Sequence, residues 1–581
     1  MAGWASELEG KDNRRVFSRP LGVAEIGFVW DGRFNGTADC IQHLQLRLPN
    51  KHDEAMFSDA NIIRSWLSLK RRHPILCAQI RSHEGVEKFF VEEKRVASLN
   101  HGELIFGSVS SAVEARQVPL DIFNGPRPLS DELLSCIYVL RSMDDPSTLH
   151  LYIVVAHCIT DAAASSSIQR CFFDTLSSRN EAPVASLEER LSMVVPLEHR
   201  GTTWKLSPVK RRWLQAIGYA IHLVRMERRI GGQTLPCGLT TTTFRSPARS
   251  CMLVTPLTPE QSATIVINCR RHKVTFGNAL LVLTQVAMTR VLYRRFIRGD
   301  ISASEWEYRQ KQPMYNVGPL NLRPHLEEDW LAKGGGGEVF LAMSVFFYQL
   351  PFMTLGTTRD QDPATLRLVN GAPPFADLLT FDRFLHRANL IKSQTQELLK
   401  HPFFEQIVMS RHIGHTERSR MVALEWSQSA RGRAGADPGT VMNLFHDSSR
   451  IVAHGGSSIG DLDKIVPFEY PLPSMNPLSP RSNRSHPAKA GYLVPQAQDT
   501  NDDELEAKLV VEHSRSYLHA RPGELYVGAA TLRKQLYFDV FYDGNVYQEN
   551  VVQEWLEEVK DAALWYLGQS HSDEGRIQAK L

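Results

Sequence analysis

The chain lacks most of the features that would give a quick assignment. None of its eight cysteines, at 40, 77, 136, 158, 171, 237, 251 and 269, forms a C-x-x-C pair or a regular framework. Neither a zinc knuckle nor a disulfide scaffold is expected, and the thiols read as reduced, inside a cell. Neither sign of charge dominates: 66 Lys and Arg stand against 64 Asp and Glu, a net of +2. That balance supplies no global field for nucleic acid or an acidic surface. The opening MAGWASELEGKDNRR has no apolar core of the kind a secretory signal needs. The most apolar long run, 339–355, carries Gln349 and Pro351 and reads as strand plus turn, not as a membrane span. Loops of the G-x-x-x-x-G-K and G-x-G-x-x-G types are missing, so ATP and dinucleotide chemistry are not expected. No internal repeat is present.

What is there is a long chain with mixed patterning. A length of 581 residues exceeds one ordinary core and calls for two domains or subdomains. The pattern divides into a disordered start over 1–14, an N-terminal unit over 15–200, a bridging segment over 201–243, a C-terminal unit over 244–568 and a tail over 569–581. Stretches near 431–440 and 472–503, rich in Pro, Ser, Asn and Gly, read as mobile insertions. RPLGVAEIGFVWD and CIQHLQLRL read as early strands. An amphipathic helix over Asp59 to Lys70 is stopped by Pro74. KRRWLQAIGYAIHLVRMERR, around 210–229, reads as a bridging helix in preference to a membrane-surface one. Thr258 and Pro259 open a helix, and VTFGNALLVLTQVAMTRVLYR should be buried. GGGG at 334–337 reads as a hinge. LYVGAATLRKQLYFDVFYDGN reads as a hairpin ahead of a closing helix.

The chemistry is concentrated at 149–167, LHLYIVVAHCITDAAASSS. Its first half is apolar and β-branched, as a buried strand requires, and ends at His157. From Asp161 a small-residue run suits a helix with Thr160 or Asp161 as its cap. A histidine is therefore expected in a tight turn between strand and helix, where it can be aimed. Imidazole, with an unperturbed pKa of about 6.5, both accepts and returns a proton near neutrality. His157 is thus a candidate general base. Asp161 has two open readings: it touches the imidazole and sets its tautomer, or it faces away and pins the turn through an arginine. A merely packed strand-end histidine is the plain alternative.

Other sites compete. Gly456, Ser457, Ser458, Ile459 and Gly460 spell G-x-S-x-G, which serves a serine hydrolase only between a strand and a helix. The two prolines in the following DLDKIVPFEYPLP argue against that helix. His412 and His415 stand three apart without a third ligand and read as solvated surface, and Cys158 as a small packing residue. No metal site is expected.

Several pieces also fall in a familiar order: HPILCAQI after a Trp-bearing helix, VVAHCITDA, VTFGNALLVL, NVGPLNLRP, SSIGDLD and LYFDVFYDGN. Together, over roughly 15–567, they resemble the condensation and HXXXD acyltransferase superfamily, especially its fungal O-acyltransferase branch. The resemblance implies an α/β fold, an α+β sandwich of two chloramphenicol-acetyltransferase-like subdomains with an active-site tunnel at their interface. It implies His157 as general base, Asp161 as the residue supporting the turn, Arg323 of Asn-Leu-Arg-Pro as its ion-pair partner, and Asn321, Ser458 and Gly460 at the tunnel. It further implies acyl-CoA as co-substrate, with no bound cofactor and no covalent enzyme intermediate. There are departures. Ala156 stands where condensation domains often have a second His, Ala162 where many members have Gly, and the D-F-G-W-G motif of plant members is not recognisable.

The last residues, Ala579, Lys580 and Leu581, are similar to the S-K-L type of peroxisomal address. An import receptor and a peroxisomal location are therefore expected, or a cytoplasmic one if the tripeptide is not read. A stand-alone fungal acyltransferase with that address resembles the acyltransferases of mannosylerythritol lipid assembly. The expected acceptor is then a hydroxyl of a mannose-containing glycolipid, and the donor a short or medium acyl-CoA. A trichothecene-type O-acetyltransferase is the runner-up, ahead of a hydrolase using Ser458 or a non-catalytic binding protein of the same fold. No nucleic-acid partner and no transmembrane span are expected, and the protein is expected to be a monomer.

Overall fold

The computed structural model describes residues 3–9, 14–178, 184–359, 365–430, 451–473, 476–479 and 508–569. In chain order the first principal elements are β1 (Ala5–Glu9), β2 (Arg14–Pro20), α1 (Val23–Arg33), β3 (Cys40–Arg47), α2 (Asp59–Arg72), β4 (Gln79–His83), β5 (Val86–Glu92), β6 (Leu104–Val109), β7 (Ser135–Ser142), β8 (Thr148–Val155) and α3 (Ala162–Ser177). Next come α4 (Pro208–Glu227), β9 (Ser250–Pro256), α5 (Phe276–Arg298), β10 (Met314–Asn321), β11 (Met343–Leu350), α6 (Phe404–Ala430) and β12 (His454–Asp461). The last are β13 (Glu469–Tyr470), β14 (Leu509–Leu518), β15 (Leu525–Leu532), β16 (Gln535–Asp543) and α7 (Glu549–Leu567).

Two mixed sheets organise two lobes. The N-terminal sheet runs β13-β14-β3-β8-β7-β6 and the C-terminal sheet β11-β10-β12-β15-β16-β9, with a small sheet β1-β2-β5-β4 beside the first. All eight residues of β8 are buried, because it lies between β3 and β7, antiparallel to both, with side chains packed on both faces. In the C-terminal lobe, α5 is buried from Ala279 to Arg294 and packs against α7. The hairpin of β15 and β16 lies between β12 and the edge strand β9 in its sheet. Among the described residues no single helix is long and apolar enough to cross a membrane.

The structure departs from the pattern reading in several places. The start is not all disordered: Trp4 is buried, its indole donates to the Val194 carbonyl at 2.8 Å, and β1 pairs with β2. Of the expected early strand, Val23–Arg33 is a helix. Glu25 accepts the Gly22 amide at 2.6 Å and is held by Arg19 at 2.7 Å, closing the first turn as a capping box does. The C-terminal unit is not self-contained, since β14 crosses back and pairs with β3 of the first lobe. GGGG is no hinge. Gly335–Gly337 form one short turn, and Gly335 lies so close on the Trp330 ring that a side chain has no room. The bridging helix α4 lies along α6 with only Gly218 fully buried, leaving Val209, Trp213 and Val224 exposed. The insertion at 431–440, residues 480–503 of the second and the C-terminal tripeptide lie outside the described residues. The front of the second insertion is packed, with Leu472 buried and its amide donating to Asp174.

Several histidines are buried uncharged. Burial, before any neighbouring charge, holds His43 at about 2, His412 at about 3 and His454 and His519 at about 4, against an ordinary 6.5. Below 6.5 the unfolded chain takes up protons that these folded rings refuse, so stability falls with falling pH. Urea unfolding should therefore show a midpoint that is steady at neutral pH and drops between 6.5 and 4; a flat profile over that window would contradict neutral burial.

Candidate active site

The site begins where β8 ends. Ala156 still donates to the Leu134 carbonyl, and the chain then makes one tight turn, His157–Ile159, before α3. Thr160 and Ser165 hydroxyls pair at 3.2 Å inside the turn. The His157 ring stacks on Phe28 of α1, centroids 4.1 Å apart and planes 19° apart. Its Nδ1 is sealed from solvent with no side-chain partner, while the residue as a whole remains half-buried. Burial first, and the charge of Arg521 second, push this imidazole below its ordinary value, against a weaker pull from the turn backbone and Asp161. It is therefore neutral, and able to accept a proton, near pH 7.

Of the two roles open to Asp161, the structure selects the second: the carboxylate turns away from the imidazole. Oδ1 caps α3, accepting the amides of Ala163 and Ala164 at 3.1 and 3.0 Å. Arg323 Nη1 donates to both carboxylate oxygens at 2.8 and 2.6 Å, and Ala342 N–H donates to Oδ2 at 2.8 Å. Burial alone would raise the Asp161 pKa, but Arg323 and these amides hold it below the usual carboxylate range. Arg323 in turn donates to the Phe340 carbonyl at 2.8 Å and lies over the Phe340 ring. Asn321 sits two residues earlier, where its Oδ1 accepts the Arg323 amide at 3.1 Å. Asp161, Arg323 and Asn321 are thus brought together as one lobe-to-lobe brace.

Ser458 is not. On β12, alternation places Ser457 opposite Gly528 and Ser458 opposite Ala529. Ser457 accepts the Tyr526 hydroxyl at 2.9 Å, on the side toward the N-terminal lobe. Ser458 lies against Gly277 in the first turn of α5, on the opposite face. The junction-facing serine is therefore Ser457. Gly460 follows a bulge with φ +89° and has open space where a side chain would go. The G-x-S-x-G run lies inside a strand and ends in a single short turn, Leu462–Lys464, so the elbow a serine hydrolase needs is not formed.

With this geometry in hand, the chain can be set beside known proteins. No family model and no curated protein matches it in sequence. Solved structures do match. A trichothecene 15-O-acetyltransferase from Fusarium sporotrichioides aligns with a TM-score of 0.63 at 12% identity, covering 97% of each chain. The first condensation domain of the calcium-dependent antibiotic synthetase gives 0.54 at 12% identity, over 94% of this chain and 96% of that one. The condensation domain of the Monacolin K polyketide synthase gives 0.52 at 8% identity, over 94% and 97%. This chain has the two-lobed condensation-domain fold.

Within that condensation fold His157 and its Phe28 neighbour are supported by residues that patterning missed. Asp31 of α1 accepts from His415 Nε2 at 2.8 Å, Ser419 at 2.5 Å and Arg521 at 2.8 Å. Burial opposes its ionisation, yet His415 and Arg521 hold the Asp31 carboxyl far below the usual range. His415 and Arg521 also flank Phe28, at 5.2 and 5.7 Å from its ring. The two histidines of α6 are accordingly not solvated surface. His412 is buried, His415 reaches α1, and among the described residues no group of three or more His, Cys, Asp or Glu can hold a metal. Cys158 is buried, and burial raises its thiol pKa. The available signal was Glu25 three residues after Gly22, with Phe28 and Asp31 following at helical spacing.

Arg323→Met should leave Asp161 charged and unmatched, lowering unfolding free energy by about 3–5 kcal/mol. Urea denaturation checks this, and a loss under 1 kcal/mol would show that the pair is not a brace.

Proposed function

We propose that this protein is an acyltransferase that moves a short or medium acyl group from coenzyme A to a hydroxyl, with His157 as general base. The observation that carries this is a neutral, half-buried imidazole, fixed by stacking on Phe28 and mounted on a turn whose carboxylate is spent on bracing. A hydroxyl is a poor nucleophile near neutrality. His157 removes its proton as the oxygen attacks the thioester carbonyl, and the imidazolium returns that proton to the departing thiolate. No protein nucleophile is needed, in keeping with Ser458 lying on the far face of its strand.

The acceptor we favour is a glycolipid of the mannosylerythritol type, with the protein delivered to peroxisomes through Ala579, Lys580 and Leu581. Likeness to the trichothecene 15-O-acetyltransferase supports a second reading, acetylation of a compact secondary metabolite. Purified protein supplied with acyl-CoAs of two to fourteen carbons and each acceptor class separates them by product mass. Acyl exchange with neither would leave a binding protein. A fluorescent fusion at the N-terminus, with and without Leu581, tests the address, and an identical diffuse signal would remove it.

His157→Ala should lower turnover by about 100- to 10,000-fold, and thiol release equal to wild type would end the base assignment. With the His157 pKa displaced downward, kcat/KM should rise with pH along a limb lying below 6.5. Arg521→Met, which removes the second-largest cause of that displacement, should move the limb upward. A limb above 6.5 in the wild type would exclude a neutral resting base.

A further inference from the structure

The helix α4 carries two apolar faces, and the fold uses one of them. Leu214, Gly218 and Ile221 lie on the side turned toward α6, where Gly218 rests on Gln406 so closely that a side chain has no room and Ile221 packs against the core. That close contact keeps the helix from rolling, which fixes what faces outward. Val209, Trp213, Ala216, Ala220, Leu223 and Val224 recur at helical spacing on the opposite side. All are exposed, Val209 to 78% and Trp213 to 67%, and Ile230 just past the end of the helix is exposed as well. A helix packed on a core needs one apolar stripe. A second one, continuous and turned to water, marks a surface that something else covers.

The rim of this stripe points to the occupant. Lys210 and Arg228 lie along one edge and Arg212 along the other, all of them exposed. Within α4, Lys210, Arg211, Arg212 and Arg225 stand against a single carboxylate, Glu227. An apolar stripe with an indole in it and a cationic rim suits a helix lying in the plane of an anionic bilayer surface. The stripe enters the boundary of the acyl chains, Trp213 sits at headgroup level, and the rim meets lipid phosphates. A second copy of this chain fits less well. The 20 residues of α4 span about 30 Å, and a face about 10 Å wide offers roughly 300 Å², against the roughly 800 Å² per partner of a stable dimer. Pairing two copies would also set one cationic rim on another. We propose that the outer face of α4 docks this protein on an anionic membrane surface, as a peripheral contact without a span. The docking itself does not rest on the acyl-transfer reading; its use does, since an amphipathic acceptor collects at that surface.

The test is flotation of the full-length protein with vesicles of phosphatidylcholine alone and of equimolar phosphatidylcholine and phosphatidylglycerol. Binding to the anionic vesicles should be roughly tenfold tighter or more, and should weaken in high salt. Val209→Ser combined with Trp213→Ser should weaken it by roughly a hundredfold, because the buried apolar area is lost. Lys210→Gln and Arg212→Gln should each weaken it by roughly fivefold. These side chains are exposed, so each variant should melt like the wild type. The emission lost in Trp213→Phe reports on the indole itself, and should move to the blue when anionic vesicles are added. An emission already blue without vesicles would mean that another part of the chain covers the face, and would overturn the proposal. Equal flotation of the wild type and the Val209 and Trp213 double variant would overturn it too. A concentration-dependent dimer that the same two substitutions abolish, with no vesicle binding, would give the face to a second copy. Absence of vesicle binding with normal turnover of a water-soluble acceptor would refute the docking and leave the acyl-transfer reading intact. Vesicle binding lost in the double variant, with no thioester turned over by the wild type, would uphold the docking and refute that reading.

Discussion

The arrangement depends on a buried ion pair between the two lobes. Asp161 and Arg323 come from opposite lobes, and between them they cap α3, hold the Phe340 backbone and fix the turn that carries His157. A carboxylate accepting this many donors is immobilised, and so is every backbone segment that supplies one. The imidazole is aimed because its neighbour four residues on cannot move. Burying the pair costs solvation that only near-ideal geometry offsets, which is why its value lies in positioning and not in net stability.

A second constraint works from the other side of the ring. Phe28 is held against His157 by α1, and α1 is held against α6 through Asp31, His415 and Ser419. The contact is close because Gly27 has no side chain: a Cβ there would stand 2.8 Å from His415 Nδ1. A charge used for this second brace also acts on the imidazole. Arg521 is spent on Asp31, yet it still disfavours protonation of His157. Farther along α6, burial and the charges of Arg418, Arg229 and Arg521 pull Arg411 well below an ordinary guanidinium.

Local patterning was informative where local forces decide. The strand-turn-helix at 149–177, the capped helix at Thr258–Pro259, the buried α5 and the final hairpin all follow from periodicity and capping chemistry that a few adjacent residues contain. It failed at α1, where a short apolar run suits strand and helix equally and only Glu25 betrays the helix. It failed again at His412 and His415, since solvation of a helix face depends on what another helix brings to it. At Ser458 the motif letters were right and the backbone around them was wrong.

The amino-acid order alone determined a histidine at the end of a buried strand, a carboxylate at the head of the next helix and an arginine corner far downstream, because each is specified by neighbours within a few residues. Which partner the carboxylate takes, which serine of β12 faces the junction, and that α1, α6 and the turn before β15 meet around one aromatic ring were decided only by the folded chain. Those contacts join residues hundreds of positions apart. Their free energy comes from burial and charge pairing between elements, and no local pattern carries that information.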